Sequence, residues 1–235
     1  MKLQSKQERL FVFIAIFCLA FLYCGSSNRL REYEFRNLTA AALMATPPRA
    51  QIFSDSFVWV DTDDPIGSAL RIGTSIAKDV EARKVRERLE NALHSIDVPE
   101  QIRLRTLKEC SKSLHYRPTE ATDEADYLFR MKIRRYGIEA NSWSTSVHFK
   151  IDLRVQLIDN QKDVEIWEKR VNERFVVSQS MFGLGDMAGN VITAVALSRL
   201  TEEELTEGFR HLADYTADRM AEKLHEDFIN ARSNK

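Results

Sequence analysis

The sequence has few cysteines, and their positions limit what they can do. There are three, Cys18, Cys24 and Cys110, and the first two lie in or beside a long apolar run near the N-terminus. Because Cys110 is the only cysteine in the body of the chain, that body can form neither an intramolecular disulfide framework nor a cysteine-based zinc site. Cys110 falls on the apolar stripe of a predicted helix, so we expect it to be a buried structural residue.

The sequence also lacks the patterns of the common metal, catalytic and nucleotide sites. Its net charge of −1 gives no global preference for nucleic acid. None of the five histidines has the spacing of a HExxH metal site, and Ser178 and Ser180 lack the surroundings of a nucleophile elbow. The stretch GLGDMA, residues 183–188, matches a loose dinucleotide fingerprint, but no later strand follows to supply the acidic residue that such a site requires. We therefore expect no enzymatic activity, no metal and no cofactor.

One long apolar run is present, and it lies at the N-terminus. Residues 1–9 carry three positive charges and one negative charge, and residues 10–23 are consecutive apolar residues. As a helix this run would be about 21 Å long, short of the roughly 30 Å hydrocarbon core of a bilayer. A short apolar run after a basic start is typical of a secretory signal, so residues 1–23 are predicted to be a signal peptide.

The residues at the end of this run are Phe21-Leu22-Tyr23-Cys24, followed by Gly-Ser-Ser-Asn. The cysteine and its polar tail resemble the end of a bacterial lipoprotein signal, in which a Leu-(Ala/Ser)-(Gly/Ala)-Cys box precedes cleavage; Tyr23 replaces the small residue of that box. The resemblance implies that Cys24 becomes the first residue of the mature chain and carries the lipid. Two alternatives stay open, an uncleaved N-terminal membrane helix and cleavage without lipidation. All three place the body of the protein outside the cytoplasm.

The rest of the chain is predicted to form one domain, residues 51–232, joined to the anchor by a tether, residues 24–50. Apolar and polar residues alternate strictly over 147–157, a turn follows at 159–163, and a further strand is predicted over 164–177. This pattern indicates an antiparallel hairpin with one buried face and one solvated face.

Helical spacing of apolar residues predicts three helices, over 75–96, 98–114 and 202–230. Capping-box spacing marks the start of the second and third, at Asp97 and Glu100 and at Thr201 and Glu204. The order of elements predicts an α+β fold, with a largely antiparallel sheet, helices packed on one of its faces and a long C-terminal helix.

The segment 178–200 is more apolar than one face of a helix requires. The residues that give it this character are Met181, Phe182, Leu184, Met187, Val191, Ile192 and Val195. The segment is either a buried core helix or a surface that faces a partner, a lipid or a membrane, because large exposed apolar patches usually mark interaction sites.

Four cations lie close together on a predicted strand, at Arg130, Lys132, Arg134 and Arg135. A strand face of this kind is suited to contact with lipid head groups or with an acidic partner. The alternative is ordinary charge pairing on a solvated face, with neighbours such as Asp152 or Glu168.

The stretches ADYLFRMKIRRYGIEA, VHFKIDLRVQLIDNQKDVEIWEKRV and LADYTADRMAEKL lie within residues 77–229. Together they resemble the auxiliary lipoproteins of ABC-type envelope transporters and the lipopolysaccharide-assembly lipoprotein. The resemblance implies a non-enzymatic accessory or scaffold subunit of a transport or outer-membrane assembly complex, with an envelope protein as its partner. Gly25, rather than an Asp, follows Cys24, and this resembles lipoproteins that are sorted to the outer membrane. Attachment at the cell surface or the inner membrane is the alternative. A standalone protein that binds an apolar ligand, with residues 181–197 as a lid, is the alternative function.

Overall fold

The computed structural model of the chain describes residues 28–45, 51–53, 76–140, 146–180 and 191–233. Within these ranges the fold is α+β, as the sequence predicts, and the three predicted helices and the hairpin are confirmed. In chain order the elements are a 3₁₀ helix (Leu30–Glu32), β1 (Thr39–Ala45), β2 (Gln51–Phe53), α1 (Ile76–Ser95), α2 (Val98–Leu114), β3 (Arg117–Pro118), β4 (Tyr127–Glu139), β5 (His148–Asp159), β6 (Val164–Val176), α3 (Ala194–Ser198) and α4 (Glu202–Ser233).

The described strands form one mixed sheet in the order β3-β1-β4-β5-β6. The two longest pairings, β4 with β5 and β5 with β6, are antiparallel. β1 and β2 both pair with β4 in parallel, one after the other along the same edge. The parallel part of the sheet therefore comes from the N-terminal segments, and the antiparallel part comes from the predicted hairpin and the strand before it.

Residues 28–45 belong to the fold, and this corrects the prediction that the whole of residues 24–50 forms a tether. Leu30 and Phe35 are completely buried, at 0% and 1% exposure, and β1 lies between β3 and β4. The buried part of β1 is mostly alanine, which gives little hydrophobic signal in a sequence but lets α2 pack closely across the strand. Because these buried side chains are small, the sequence pattern did not predict that β1 belongs to the sheet.

The stretch Ala-Asp-Tyr at the start of β4 fastens β1 to the sheet. The Asp126 carboxylate accepts hydrogen bonds from both the backbone N–H and the hydroxyl of Thr39, each at 2.8 Å. These two bonds hold the pKa of Asp126 below its usual value. The Tyr127 hydroxyl donates to the carbonyl of Glu34 at 2.7 Å. Together these contacts fix the register between the N-terminal segment and the central strand.

Each of the four α-helices in the described part of the chain contributes buried residues to one core cluster with the inward side chains of the sheet. α2 begins at the predicted cap, because the Asp97 side chain accepts from the N–H of Glu100 at 3.0 Å. Cys110 is 1% exposed within this core, as expected, and burial raises the pKa of its thiol. α4 is 32 residues long, about 48 Å at 1.5 Å per residue. None of the helices in these ranges is both long and apolar enough to cross a bilayer.

Candidate interaction surface

The face of the sheet opposite the helices is formed by alternate positions of β4, β5 and β6. On β4, for example, Phe129 and Met131 point into the core while Arg130 and Lys132 are exposed. We call this surface the outer sheet face. Its charged residues are Arg130, Lys132, Arg134, Arg135, Glu139, Lys150, Asp152, Arg154, Glu165, Glu168, Arg170 and Arg174. Eight of these are basic and four are acidic, and Asp163 in the turn after β5 adds a fifth carboxylate through its ion pair with Arg130, so the face carries an excess of positive charge.

Cross-strand ion pairs organise the half of this face on β5 and β6. Arg170 donates to both oxygens of Asp152 at 2.8 Å, in the two-bond geometry that suits a guanidinium and a carboxylate. Glu139 accepts from Lys150 at 2.7 Å and from Arg174 at 2.6 Å. These pairs confirm that part of the charge on the solvated face is locally neutralised.

The half of the face on β4 is less well neutralised. Lys132 lies opposite Arg154, and Arg154 lies opposite Arg170, so one row across three strands contains only cations. Like charges placed directly opposite each other destabilise a sheet. Arg154 and Arg170 relieve this by pairing diagonally, with Glu168 and Asp152. Within the described residues Lys132 has no salt bridge that would do the same.

A β-bulge in β4 adds a further cation to this half. Ile133 pairs with Leu153, but the next pair is Arg135 with Asp152, so Arg134 is the extra residue. As a result Arg134 and Arg135 are both exposed beside Asp152, which is itself only 4% exposed. The hydrogen bonds from Arg170 lower the pKa of Asp152 most, and the charges of the two bulge arginines lower it further. The single Asp152 carboxylate therefore lies close to three guanidinium groups, those of Arg170, Arg134 and Arg135, and cannot neutralise all three.

An apolar side chain lies at the edge of the basic half. Leu43 of β1 is paired with Arg130 and is 50% exposed. An exposed leucine beside exposed guanidinium groups gives the outer sheet face both apolar and charged contact area, which is the composition of many protein–protein interfaces. The arrangement can hold an anionic surface in place.

The predicted site residues are only partly within the described chain. Cys24, Met181, Phe182, Leu184 and Met187 lie outside it. The three that are described are Val191, Ile192 and Val195, and they do not share one surface.

Val191 and Val195 are 40% and 37% exposed, whereas Ile192 is 1% exposed. Ile192 is therefore not available to a partner, which corrects its assignment to an interaction segment. The cause is local backbone pairing: Ile192 donates to the carbonyl of Val177 at 2.9 Å and accepts from the N–H of Val147 at 2.8 Å, which turns its side chain into the core.

Metal binding has no support in the described residues, where no group of three or more His, Cys, Asp or Glu side chains is arranged to hold an ion. An open depression between α2 and α4 is lined largely by charged side chains such as Glu109, Lys112 and Glu222. Because these side chains pair within their own helices, the depression is an ordinary solvated helix surface.

Sequence reasoning identified the cations of β4 and named Asp152 and Glu168 as neighbours for charge pairing, but it did not identify the further cations on β5 and β6. Lys150 and Arg154 are outward positions of the predicted alternation on β5, so the period of two was a usable signal for them. Arg170 and Arg174 on β6 required the pairing register as well, and the bulge at Ile166 shifts that register.

No family model matches the chain, and no curated protein matches it. Solved structures that resemble it include a Xanthomonas campestris protein assigned to the family DUF330, with 12% identity and a TM-score of 0.28, covering 85% of this chain and 94% of that one. Another is a Helicobacter pylori protein described as a neuraminyllactose-binding hemagglutinin homologue, with 9% identity and a TM-score of 0.30, covering 91% of this chain and 97% of that one. Superpositions this loose identify neither the family nor the function of this chain.

Proposed function

We propose that this is a lipid-anchored protein of the bacterial cell envelope, held through Cys24, that acts as a non-enzymatic accessory or scaffold subunit of a transport or outer-membrane assembly complex. In this proposal the body lies in the periplasm and the outer sheet face docks an acidic surface of a partner protein. The observation that carries the proposal is the excess of exposed positive charge on β4, beside the exposed Leu43.

The shape of this surface favours a macromolecular partner over a small ligand. The cations extend over three neighbouring strands, which are spaced about 4.8 Å apart, and they lie on an open sheet. Small-molecule sites are concave and largely apolar, and they enclose most of the ligand. An open basic face instead steers an acidic partner and fixes its orientation.

The anchor is supported by the sequence before the fold. A basic start, a short apolar run and then Cys24 with a small polar tail are the features of a lipoprotein signal. Several acyl chains on one cysteine bind a membrane strongly, because each buried CH₂ contributes about 0.8 kcal/mol. Gly25 favours the outer membrane as the destination.

The docking surface is tested by reversing charge on the outer sheet face. The variant Lys132→Glu/Arg134→Glu changes two exposed side chains, and Lys84→Glu/Lys108→Glu makes the same change in charge on exposed helix positions. After cross-linking in intact cells and affinity purification from membranes, we expect partner recovery to fall at least tenfold for the first variant and to stay unchanged for the second. Equal recovery for both variants would assign docking to another surface.

The anchor is tested separately by radiolabelled palmitate. We expect the wild-type chain to incorporate label and Cys24→Ala to incorporate none. Equal labelling of the two chains would end the lipoprotein interpretation, and the mass of the mature N-terminus would then distinguish an uncleaved helix from cleavage without lipid.

A further inference from the structure

The distance between the anchor and the fold is short. Gly25, Ser26 and Ser27 alone separate Cys24 from Asn28, where the described chain begins. Four Cα–Cα steps reach at most about 14 Å, even when the chain is fully extended. A lipid on Cys24 would therefore keep Asn28 within that distance of the membrane.

Asn28 is itself fixed to the body of the domain. It forms a β-bridge with Trp167, and its side-chain amide donates to the carbonyl of Asp227 at 3.3 Å. The next residue, Arg29, donates its N–H to the carbonyl of Ile166 at 2.7 Å. The Trp167 indole in turn donates to the Asp227 carboxylate at 2.9 Å. The chain thus joins the domain at one defined place, between the start of β6 and the C-terminal part of α4.

We propose that the surface around Asn28 lies against the head-group layer of the membrane that holds the anchor. The proposal rests on the lipid anchor of the proposed function and adds the orientation of the domain. We call this surface the anchor-proximal surface. It consists of Arg29, Arg31, Tyr33, Lys162, Ile229 and Arg232.

The side chains of the anchor-proximal surface suit a lipid interface. The Arg29 guanidinium and the Lys162 ammonium each lie 5.8 Å from the centre of the Tyr33 ring, and Ile229 is 48% exposed. Arg232 lies 4.4 Å from the ring centre of its neighbour Phe228. Aromatic rings beside cations are typical of the membrane interface, where the ring lies at head-group depth and the cation meets phosphate.

The ion pairs of these cations do not oppose the proposal. Arg29 pairs with Glu32, and Arg232 lies 4.0 Å from Glu34; all four side chains are at least 44% exposed. Lys162 pairs with the buried Asp159, and its own side chain is 68% exposed. Solvent-exposed ion pairs are weak, so these cations can be shared with a phosphate.

The two ends of α4 differ in charge in the direction that the proposal requires. Its first turn contains Glu202, Glu203 and Glu204, whereas Arg232 is the only charged residue of its last turn. One turn earlier Glu226 and Asp227 are acidic, and the Asp227 carboxylate is bonded to Lys169. Glu203 precedes Ile229 by 26 residues, about 39 Å along the helix axis. An anionic membrane therefore repels the start of α4 more strongly than its end, so the domain stands with the start of α4 directed away from the bilayer.

The experiment compares two positions on α4 in the full-length lipidated protein. Ile229→Cys and Glu203→Cys are each labelled with an environment-sensitive fluorophore and reconstituted into phosphatidylethanolamine–phosphatidylglycerol vesicles that contain head-group spin-labelled lipid. Cys110 is buried, so it remains unlabelled in the folded protein. Arg31→Cys provides a second position on the anchor-proximal surface in case substitution at Ile229 perturbs the helix end.

We expect quenching at residues 229 and 31 to be at least threefold stronger than at residue 203. Equal quenching at both ends of α4, or none at residues 229 and 31, would overturn the orientation while the intact mass still shows a lipidated Cys24. A mass without lipid would overturn the anchor, and the orientation with it. The mass measurement thus separates the two failures.

Discussion

At the residue scale, Asp152 is the buried carboxylate that three arginines of the outer sheet face surround. Asp152→Asn removes the two-bond pair with Arg170 and leaves the bulge arginines without a counter-charge. We expect the free energy of unfolding at pH 7 to fall by about 1–2 kcal/mol, since Arg170 is half exposed and water screens the pair. Urea denaturation measures this loss. Asp163→Asn is the matched control, because its pair with Arg130 is largely exposed and we expect little change.

The same residue gives a pH dependence with a defined sign. The folded pKa of Asp152 is lowered, so its carboxylate contributes stability that is fully present above the unfolded value of about 3.9 and is lost as the pH falls through the folded pKa. The difference in stability between wild type and Asp152→Asn should therefore narrow below about pH 4. If the difference in free energy of unfolding between the two proteins stays constant from pH 7 to pH 3, the charge of Asp152 is not the cause of its contribution to stability.

The Cys110 thiol is predicted to be unreactive in the folded protein. It is buried in the core and burial raises its pKa, so almost no thiolate is available to react. We expect a maleimide reagent at neutral pH to leave Cys110 of the folded protein unmodified for hours and to modify it completely in concentrated urea, as followed by intact mass. Rapid modification without denaturant would show that α2 opens locally.

At the scale of elements, α4 depends on its first turn. Thr201 and Glu204 form a reciprocal capping box: the Thr201 N–H donates to the Glu204 carboxylate at 2.8 Å, and the Glu204 N–H donates to the Thr201 hydroxyl at 3.2 Å. Thr201→Ala should lower the free energy of unfolding by about 1 kcal/mol. Thr201→Ser keeps the hydroxyl, so we expect a much smaller loss in the free energy of unfolding. If both variants lose the same stability in thermal denaturation, the methyl group rather than the cap accounts for the effect.

The elements that the sequence predicted are those with a strong period or a cap. β5 alternates strictly, and α2 and α4 combine helical spacing with capping residues, so local chemistry alone defines them. β1 was not separated from the tether, because its buried positions are alanines whose role depends on a neighbouring helix. On the outer sheet face, the cations of β4 were visible in the sequence, but the bulge at Arg134 and the cross-strand pairs depend on register, which is a tertiary property.

At the scale of the whole molecule, the position of β1 makes the chain from Asn28 onward part of the sheet domain. A tether of residues 24–50 would let the domain turn freely above a membrane. Because Asn28 is already fixed to the domain, a lipid on Cys24 would instead restrict the domain to a narrow range of orientations. The outer sheet face and the anchor-proximal surface then hold a fixed geometry relative to each other, which suits a subunit that positions a partner at a membrane.

The same architecture predicts where the chain can be shortened. Removal of residues 1–27 leaves every described element intact, so we expect a cooperative thermal transition and native near-ultraviolet circular dichroism. Removal of residues 1–50 also takes away Leu30, Phe35 and β1. Loss of each large core side chain costs about 2–5 kcal/mol, and a domain has only about 5–15 kcal/mol in total, so this shorter chain should not fold. A cooperative thermal transition of the shorter chain would show that the domain folds without β1, and would support the prediction that residues 24–50 are a tether.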